Sequence, residues 1–385
     1  MIVRHGLTCL LVAAMVTALP ACSPTPAPRA ASIAASDGFG LPAMPARAND
    51  AQAHTRIELG RKMFFDRRLS FNGTMSCAMC HVPEQGFSAT SSKTAVGIEG
   101  KSLRRNAPTL LNVAWQTLLF HDGREFSLAT QAWLPLLHAD EMANPSIGHV
   151  LQRIRTLPDY EGRFERAFAG TGVGMETVGA ALAAFELSLV SADSRFDRWR
   201  YRGDQNALTE QEQIGFRIFT GKGRCSGCHS VGESGALFSD GRFHVTGAGQ
   251  SAAPDHALVV PLAAGMQTVL GAGDLAAFAE VPAPDLGRFE ITLDPADRYA
   301  FKTASLRNIA HTAPYMHDGS LPTLEAVVDF YNGGGGEVLD KSALLMPLDL
   351  SSADKQALVA FLCSLDGANL QTLKANSRPL SESTR

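Results

Sequence analysis

The sequence predicts an all-α protein made of two related units with long loops and little β structure. Three observations carry that expectation. The skeleton Cys77-Ala78-Met79-Cys80-His81 returns as Cys225-Ser226-Gly227-Cys228-His229. Each copy follows an apolar stretch at helical spacing, Leu59-Gly60-Arg61-Lys62-Met63-Phe64 before the first and Ile214-Gly215-Phe216-Arg217-Ile218-Phe219 before the second. No alternation of apolar and polar residues persists long enough to build a sheet.

The elements follow in order. Thr55 with Glu58 reads as a capping box that opens the first helix, and Thr209 with Glu212 opens its counterpart. Asn106 to Leu119 is expected to be helical, Met175 to Val190 forms an amphipathic helix, and Thr323 to Tyr331 another. Ser351 caps a final helix that runs to Leu365. Residues 232–290 are rich in Gly, Ala and Pro and predict a long loop excursion with at most short strands. The boundary between the units falls at Tyr201 to Asn206, giving domains at 51–205 and 206–370 and a tail over 371–385.

The N-terminus reads as an export address. Residues 1–21 carry an apolar run from Leu7 to Leu19, too short to span a bilayer comfortably, and end at small residues before Cys22. Leu19-Pro20-Ala21-Cys22 resembles a lipobox, so Cys22 is either lipidated or simply follows a cleavage site. Residues 22–50 read as a flexible tether. This address sends the chain to the periplasm, free or anchored at the outer membrane.

With 45% hydrophobic and 19% charged residues the chain is a soluble globular type, and a formal charge of -4 makes no case for nucleic acid. Of seven cysteines, four sit in the two motifs and Cys9 lies in the signal. Cys363, inside the apolar pattern Leu358-Val359-Ala360-Phe361-Leu362, is expected to be an inert core thiol.

C-x-x-C-H is the attachment site of a c-type haem. The two thiols add to the vinyl groups and the adjacent histidine is delivered to the iron. A zinc site would want four ligands in paired clusters, and a redox dithiol a βαβ context. Two covalent haems follow, held by Cys77, Cys80 and His81 and by Cys225, Cys228 and His229, in two cytochrome c-like α domains. Such a pair either relays electrons or binds peroxide at one iron. An open iron face with acid–base groups above it decides between the two.

Further residues carry a resemblance. Arg105-Asn106-Ala107-Pro108-Thr109, Phe120-His121-Asp122-Gly123-Arg124, Gln131, Pro135, Glu141-Met142, Leu306-Arg307-Asn308, Ala313-Pro314-Tyr315-Met316-His317-Asp318-Gly319 and Asp329-Phe330-Tyr331 resemble the bacterial dihaem cytochrome c peroxidases. Within that family they are similar to the MauG-type branch and its MbnH-type members. The likeness covers nearly everything from residue 50 to 366. It implies a peroxidatic haem in the first domain and an electron-transfer haem in the second. No histidine stands between His81 and His121, where family members that need reductive activation keep a blocking one.

The resemblance also implies that Tyr331, fourteen residues beyond His317, ligates the second iron where the peroxidases carry methionine. Met346 and Met316 are the candidates to replace it. Glu141 matches the acid–base glutamate, Gln131 its hydrogen-bonding companion and Pro135 a proline of the pocket wall. His138 is left without a role. His121 stands where the family places an inter-haem tryptophan, so it bridges by hydrogen bonding, ligates the first iron or is structural, with Trp115 and Trp133 as other sites for charge. One calcium is implied, held by the Asn106 side chain and the carbonyls of Thr312 and Pro314.

The function implied is an exported dihaem oxidoreductase that reacts with hydrogen peroxide, reaches a high-valent iron state and oxidises a partner protein, with a tryptophan side chain the favoured target. One alternative reduces peroxide to water with electrons from a small redox protein. A second is a non-enzymatic dihaem electron-transfer cytochrome.

Overall fold

Two glycine-mediated helix crossings organise the chain. In the computed structural model, which describes residues 38–45, 51–249, 258–263, 266–270 and 284–377, α1 (Ala53–Phe65) crosses α7 (Met175–Leu187) at Gly60. A Cβ on Gly60 would lie 1.8 Å from the Ala181 carbonyl oxygen, so only glycine lets the backbones approach this closely. The second half repeats the arrangement with α9 (Glu210–Thr220) and α12 (Ser352–Cys363), where a Cβ on Gly215 would lie 2.0 Å from the Ala357 oxygen. In both crossings a phenylalanine one helical turn on, Phe185 or Phe361, packs beside the glycine.

Between them run α2 (Cys77–Cys80), α3 (Leu128–Gln131), α4 (Trp133–Leu137), α5 (Ile147–Thr156), α6 (Arg163–Ala167) and α8 (Arg195–Arg202). The second half adds α10 (Phe289–Thr292), α11 (Leu324–Asn332) and, after α12, α13 (Leu370–Asn376). Strands are few and short. β1 (Phe243–Val245) pairs antiparallel with β4 (Ala300–Lys302), and β2 (Leu258–Ala263) with β3 (Met266–Leu270). The protein is mostly helical, and none of its described helices is long and apolar enough to cross a membrane.

Two large hydrophobic clusters fill the halves. The first centres on Leu59, Met63, Phe64, Leu182 and Phe185, the second on Phe196, Phe219, Phe238, Leu358 and Phe361. Phe196 and Phe361 meet at 5.7 Å between ring centroids, and both contact Phe238. That aromatic cluster places Phe196 of α8 in the second hydrophobic core. Leu370 of α13 returns to the first cluster, so residues 371–376 are helix and not tail.

Other expectations stand or fall locally. The Thr209/Glu212 capping box is present, and Ser351 caps α12 with Asp354 as its reciprocal partner. Thr55 caps nothing. α1 already begins at Ala53, and Glu58 pairs instead with His54 at 3.3 Å. Asn106 to Leu119 is not a helix beyond the single 3-10 turn Val113–Trp115, because its backbone bonds elsewhere. The Asn106 N–H donates to the His317 carbonyl at 2.7 Å and that of Asn112 to the Leu189 carbonyl at 2.9 Å. Cys363 packs against the second hydrophobic cluster. The export signal with Cys9, Cys22 and the tether apart from residues 38–45 lie outside the described residues.

The repeat runs deeper than the motifs. Asn112 and Asn308 both take left-handed φ, 60° and 58°, each ahead of a 3-10 turn. The Asn308 N–H donates to the Leu365 carbonyl as that of Asn112 does to Leu189. The halves then exchange one bond each. The Lys302 N–H donates to the His121 carbonyl at 2.8 Å, while that of Asn106 reaches His317. His121 and His317 are thus counterparts, as are Asn106 and Lys302.

Candidate active site

Each motif is one tight turn that delivers its histidine inward. The His81 N–H closes on the Cys77 carbonyl at 2.9 Å, and that of His229 on the Cys225 carbonyl at the same distance. The imidazoles are oriented alike. Nδ1 of His81 meets the Phe87 carbonyl at 3.2 Å and Nδ1 of His229 the Phe238 carbonyl at 2.8 Å. A carbonyl only accepts, so Nδ1 carries the proton and Nε2 keeps a lone pair for a metal. Burial lowers the pKa of both rings and so keeps them neutral.

Burial also pushes the Cys77 thiol up to about 12, Cys80 to about 11 and Cys225 to about 12. Thiols held protonated do not suit a nucleophilic dithiol. None of the four motif cysteines is in a disulfide. These features fit covalent haem attachment at both motifs.

A cavity opens beside the first motif. Cys77, Cys80 and His81 line it together with Gln131, Pro135 and Glu141, and Phe64, Leu110, Met142 and Leu182 supply apolar wall. Gln131 ends α3, whose N-cap is Ser127. Glu141 lies in a turn past α4 rather than on a helix, its N–H donating to the His138 carbonyl at 3.0 Å. The Ile98 N–H fastens that turn through the Glu141 carbonyl, an approach that needs Gly97, since a Cβ there would meet the Asp140 oxygen at 1.8 Å. Burial raises the Glu141 carboxyl, opposed by the positive influence of His138, which lies 3.9 Å away. A partly buried carboxyl in the cavity wall, with a raised pKa and a histidine 3.9 Å away, is suited to proton transfer.

One wall residue was not anticipated. Glu186 of α7 lines the same cavity, is 6% exposed, and its Oε2 has no hydrogen-bond partner. Its position on the α7 stripe, next to Phe185, would have marked it as odd, since its counterpart after Phe361 is Leu362.

At the second motif Tyr331, on the last turn of α11, is half-buried near Cys225 and Cys228. Desolvation first, then the two sulfurs, push its phenol upward. Met346 is engaged elsewhere. Its sulfur takes Nη1 of Arg224 at 2.7 Å and the residue is 44% exposed. Met316 sits at the turn before His317 with φ 73°. Asp240 and His244, also not anticipated, pair at 2.8 Å and bring their atoms to Cys228.

His121 does not line the His81 cavity. Its Nε2 meets the Asn106 carbonyl at 3.0 Å, so of the three roles considered the hydrogen-bonded bridge fits the geometry. Burial, with His317, Arg105 and Lys302 adding positive charge, lowers its pKa to about 4. Such a field also opposes a positive hole on the ring. Trp115 donates to the Pro42 and Ala43 carbonyls in a small cluster with Val190 and Leu237, and Trp133 is core, donating to the Met175 carbonyl. The Asn106 side chain donates through Nδ2 to the Lys93 carbonyl at 2.8 Å, which leaves its oxygen available to a cation.

A family model described as di-haem cytochrome c peroxidase matches residues 54–206. The methylamine utilization protein MauG of Methylorubrum extorquens is 39% identical over 313 residues, 80% of this chain and 78% of that protein. The chain belongs to the di-haem cytochrome c peroxidase and MauG family. The cytochrome-c peroxidase IdrP2 of Denitromonas iodatirespirans is 37% identical over 89% of this chain and 90% of its own. Among solved structures, a MauG-like protein associated with microbial copper homeostasis superposes with a TM-score of 0.70 at 32% identity, covering 86% of this chain and 95% of that one. As a family member the protein is a dihaem peroxidase-type oxidoreductase with two haem c groups, and the residues of the paired motifs fit their attachment.

Proposed function

We propose that this protein is an exported enzyme that takes hydrogen peroxide at the His81 haem and oxidises a side chain of a partner protein, with tryptophan the favoured target. On this reading each half is a cytochrome c-like haem domain, peroxidatic in the first and electron-transferring in the second. The observation that carries it is Tyr331, half-buried near Cys225 and Cys228 while the exposed Met346 bonds Arg224. When bound, the haems supply the redox chemistry, and an anionic phenolate on the second iron favours its oxidised state over a ferrous, electron-donating one.

The protein's own groups handle protons and position. Glu141 moves a proton between the two oxygens of peroxide, Gln131 hydrogen-bonds the ligand or a water, and Pro135 closes the wall against bulk water. His121 joins the halves through the Asn106 carbonyl. A calcium held by the Asn106 side-chain oxygen and the Thr312 and Pro314 carbonyls would stiffen the same junction. Cys22 as a lipid anchor belongs to this proposal as well.

The test is low-temperature EPR of the ferric holoprotein before and after one equivalent of peroxide, with mass analysis of the protein encoded beside it. High-spin and low-spin signals that both vanish, with oxidation of the partner that Tyr331→Met abolishes, support the reading. Rapid turnover with a small cytochrome or copper donor and an unmodified partner would make the protein a plain peroxidase, as several relatives are named. Two low-spin signals that peroxide leaves unchanged would make it an electron-transfer cytochrome.

A further inference from the structure

A buried carboxyl without a partner costs about 1–3 kcal/mol, and native structures keep few such groups without a reason. Glu186 is one, with Oε2 unpaired in the wall of the His81 cavity. The crossing of α1 and α7 does not require it, because the second half builds the same crossing with Leu362 at the matching step. Glu141 lies beside His138, whose side chain is 54% exposed, and both Glu186 and Glu141 act on the Cys77 thiol.

We propose that Glu186 is a second acid group of the His81 haem cavity, which keeps a proton in the cavity wall and donates it in a hydrogen bond to water or an oxygen ligand held there. This rests on the reading that the cavity admits peroxide. The proton is shared, not consumed: Glu186 lends it within the cavity, and Glu141 with His138 exchanges protons with solvent. Burial alone pushes the Glu186 carboxyl up to about 8, which favours the neutral acid at pH 7. Phe64 of α1, Gln131 of α3 and Cys77 of the motif share the cavity wall with Glu186, and the other carboxyl of that wall is Glu141.

Fluoride, which ferric haem takes up together with a proton, is the probe, used on the holoprotein with Glu186→Gln and with Glu186→Leu, the latter copying the second half. Infrared spectra of the same samples read the carboxyl directly. The expected result is a protonated-carboxyl band at pH 7 that Glu186→Gln removes, and fluoride affinity about tenfold or more weaker in both variants, the scale of one hydrogen bond to a charged group. Haem content and the second haem's EPR signal should stay unchanged. A purely structural role would lower the melting temperature and leave the fluoride pH profile as in the parent. That outcome, or an ionised Glu186 at pH 7, overturns the proposal. The infrared band is read on the resting protein, so its absence counts against Glu186 alone, whereas an unmodified partner counts against the proposed function alone.

Discussion

In the N-terminal half the crossing helix runs from Ala181 to Phe185 and then presents Glu186. In the C-terminal half the same step from Ala357 to Phe361 is followed by Leu362. The contrast recurs along the repeat. Leu111 of the first half is matched by Arg307 of the second, and Asn106 by Lys302. What both halves keep are the groups that backbone geometry demands: glycine at the crossing, asparagine at left-handed φ, and a motif histidine tied by Nδ1 to a carbonyl. What they change are side chains that can be exchanged without moving the crossing. A duplicated scaffold can therefore carry two unlike haem environments, an acid-lined cavity on one side and a phenol on the other.

The comparison can be broken first at the cavity. Glu141→Gln removes the proton carrier found in the first half alone, and peroxide-dependent spectral change should slow about 10²–10⁴-fold in stopped flow while the second haem's spectrum stays put. Next comes Arg307→Leu, which imposes the first half's residue on the second. Arg307 and Asp197 form a bidentate pair at 2.8 Å, 1% and 0% exposed, so losing one partner strands a buried charge. A loss of about 3–5 kcal/mol in urea unfolding is expected, with partial recovery in Arg307→Leu/Asp197→Asn.

Acidification gives a smaller effect. With a folded pKa near 4, His121 stays neutral while the unfolded chain takes up a proton near pH 6.5. The unfolded state then binds more protons, so stability falls as pH drops through that window, by up to about 3 kcal/mol. His121→Gln should flatten this part of the stability profile measured by thermal melts. The smallest effect tests what is shared. Asn112→Ala and Asn308→Ala should each cost about 2 kcal/mol, from left-handed strain and lost bonds to Ser191. Very different costs at the two sites would show that the repeat is geometric but not energetic.

Much of this was legible in residues with a short-range signature. The motifs, the Thr209 and Ser351 caps and the helices around Met175 and Thr323 depend on neighbours a few positions away, and the structure keeps them. The misreadings share one cause. Asn106 to Leu119 has enough apolar residues to look helical, but its N–H groups go to Leu189 and His317, partners that no local window contains. Phe196 joins the second core only because Phe238 and Phe361 close around it. Glu186 escaped because on an apolar helix a single glutamate signals a solvated edge, and burial is known only once α1 and the motif are in place.

The amino-acid sequence by itself points to two haem attachment motifs and a helical repeat, because the motif and helix formation are encoded within one or two turns. Only the tertiary structure shows that Tyr331 lies within the influence of the second motif's sulfurs while Met346 accepts from Arg224, that His121 bonds the Asn106 carbonyl, and that Glu186 Oε2 is left unpaired in the first cavity. Those outcomes depend on which groups lose water together when distant segments pack, and desolvation is a property of the folded assembly rather than of any stretch of chain.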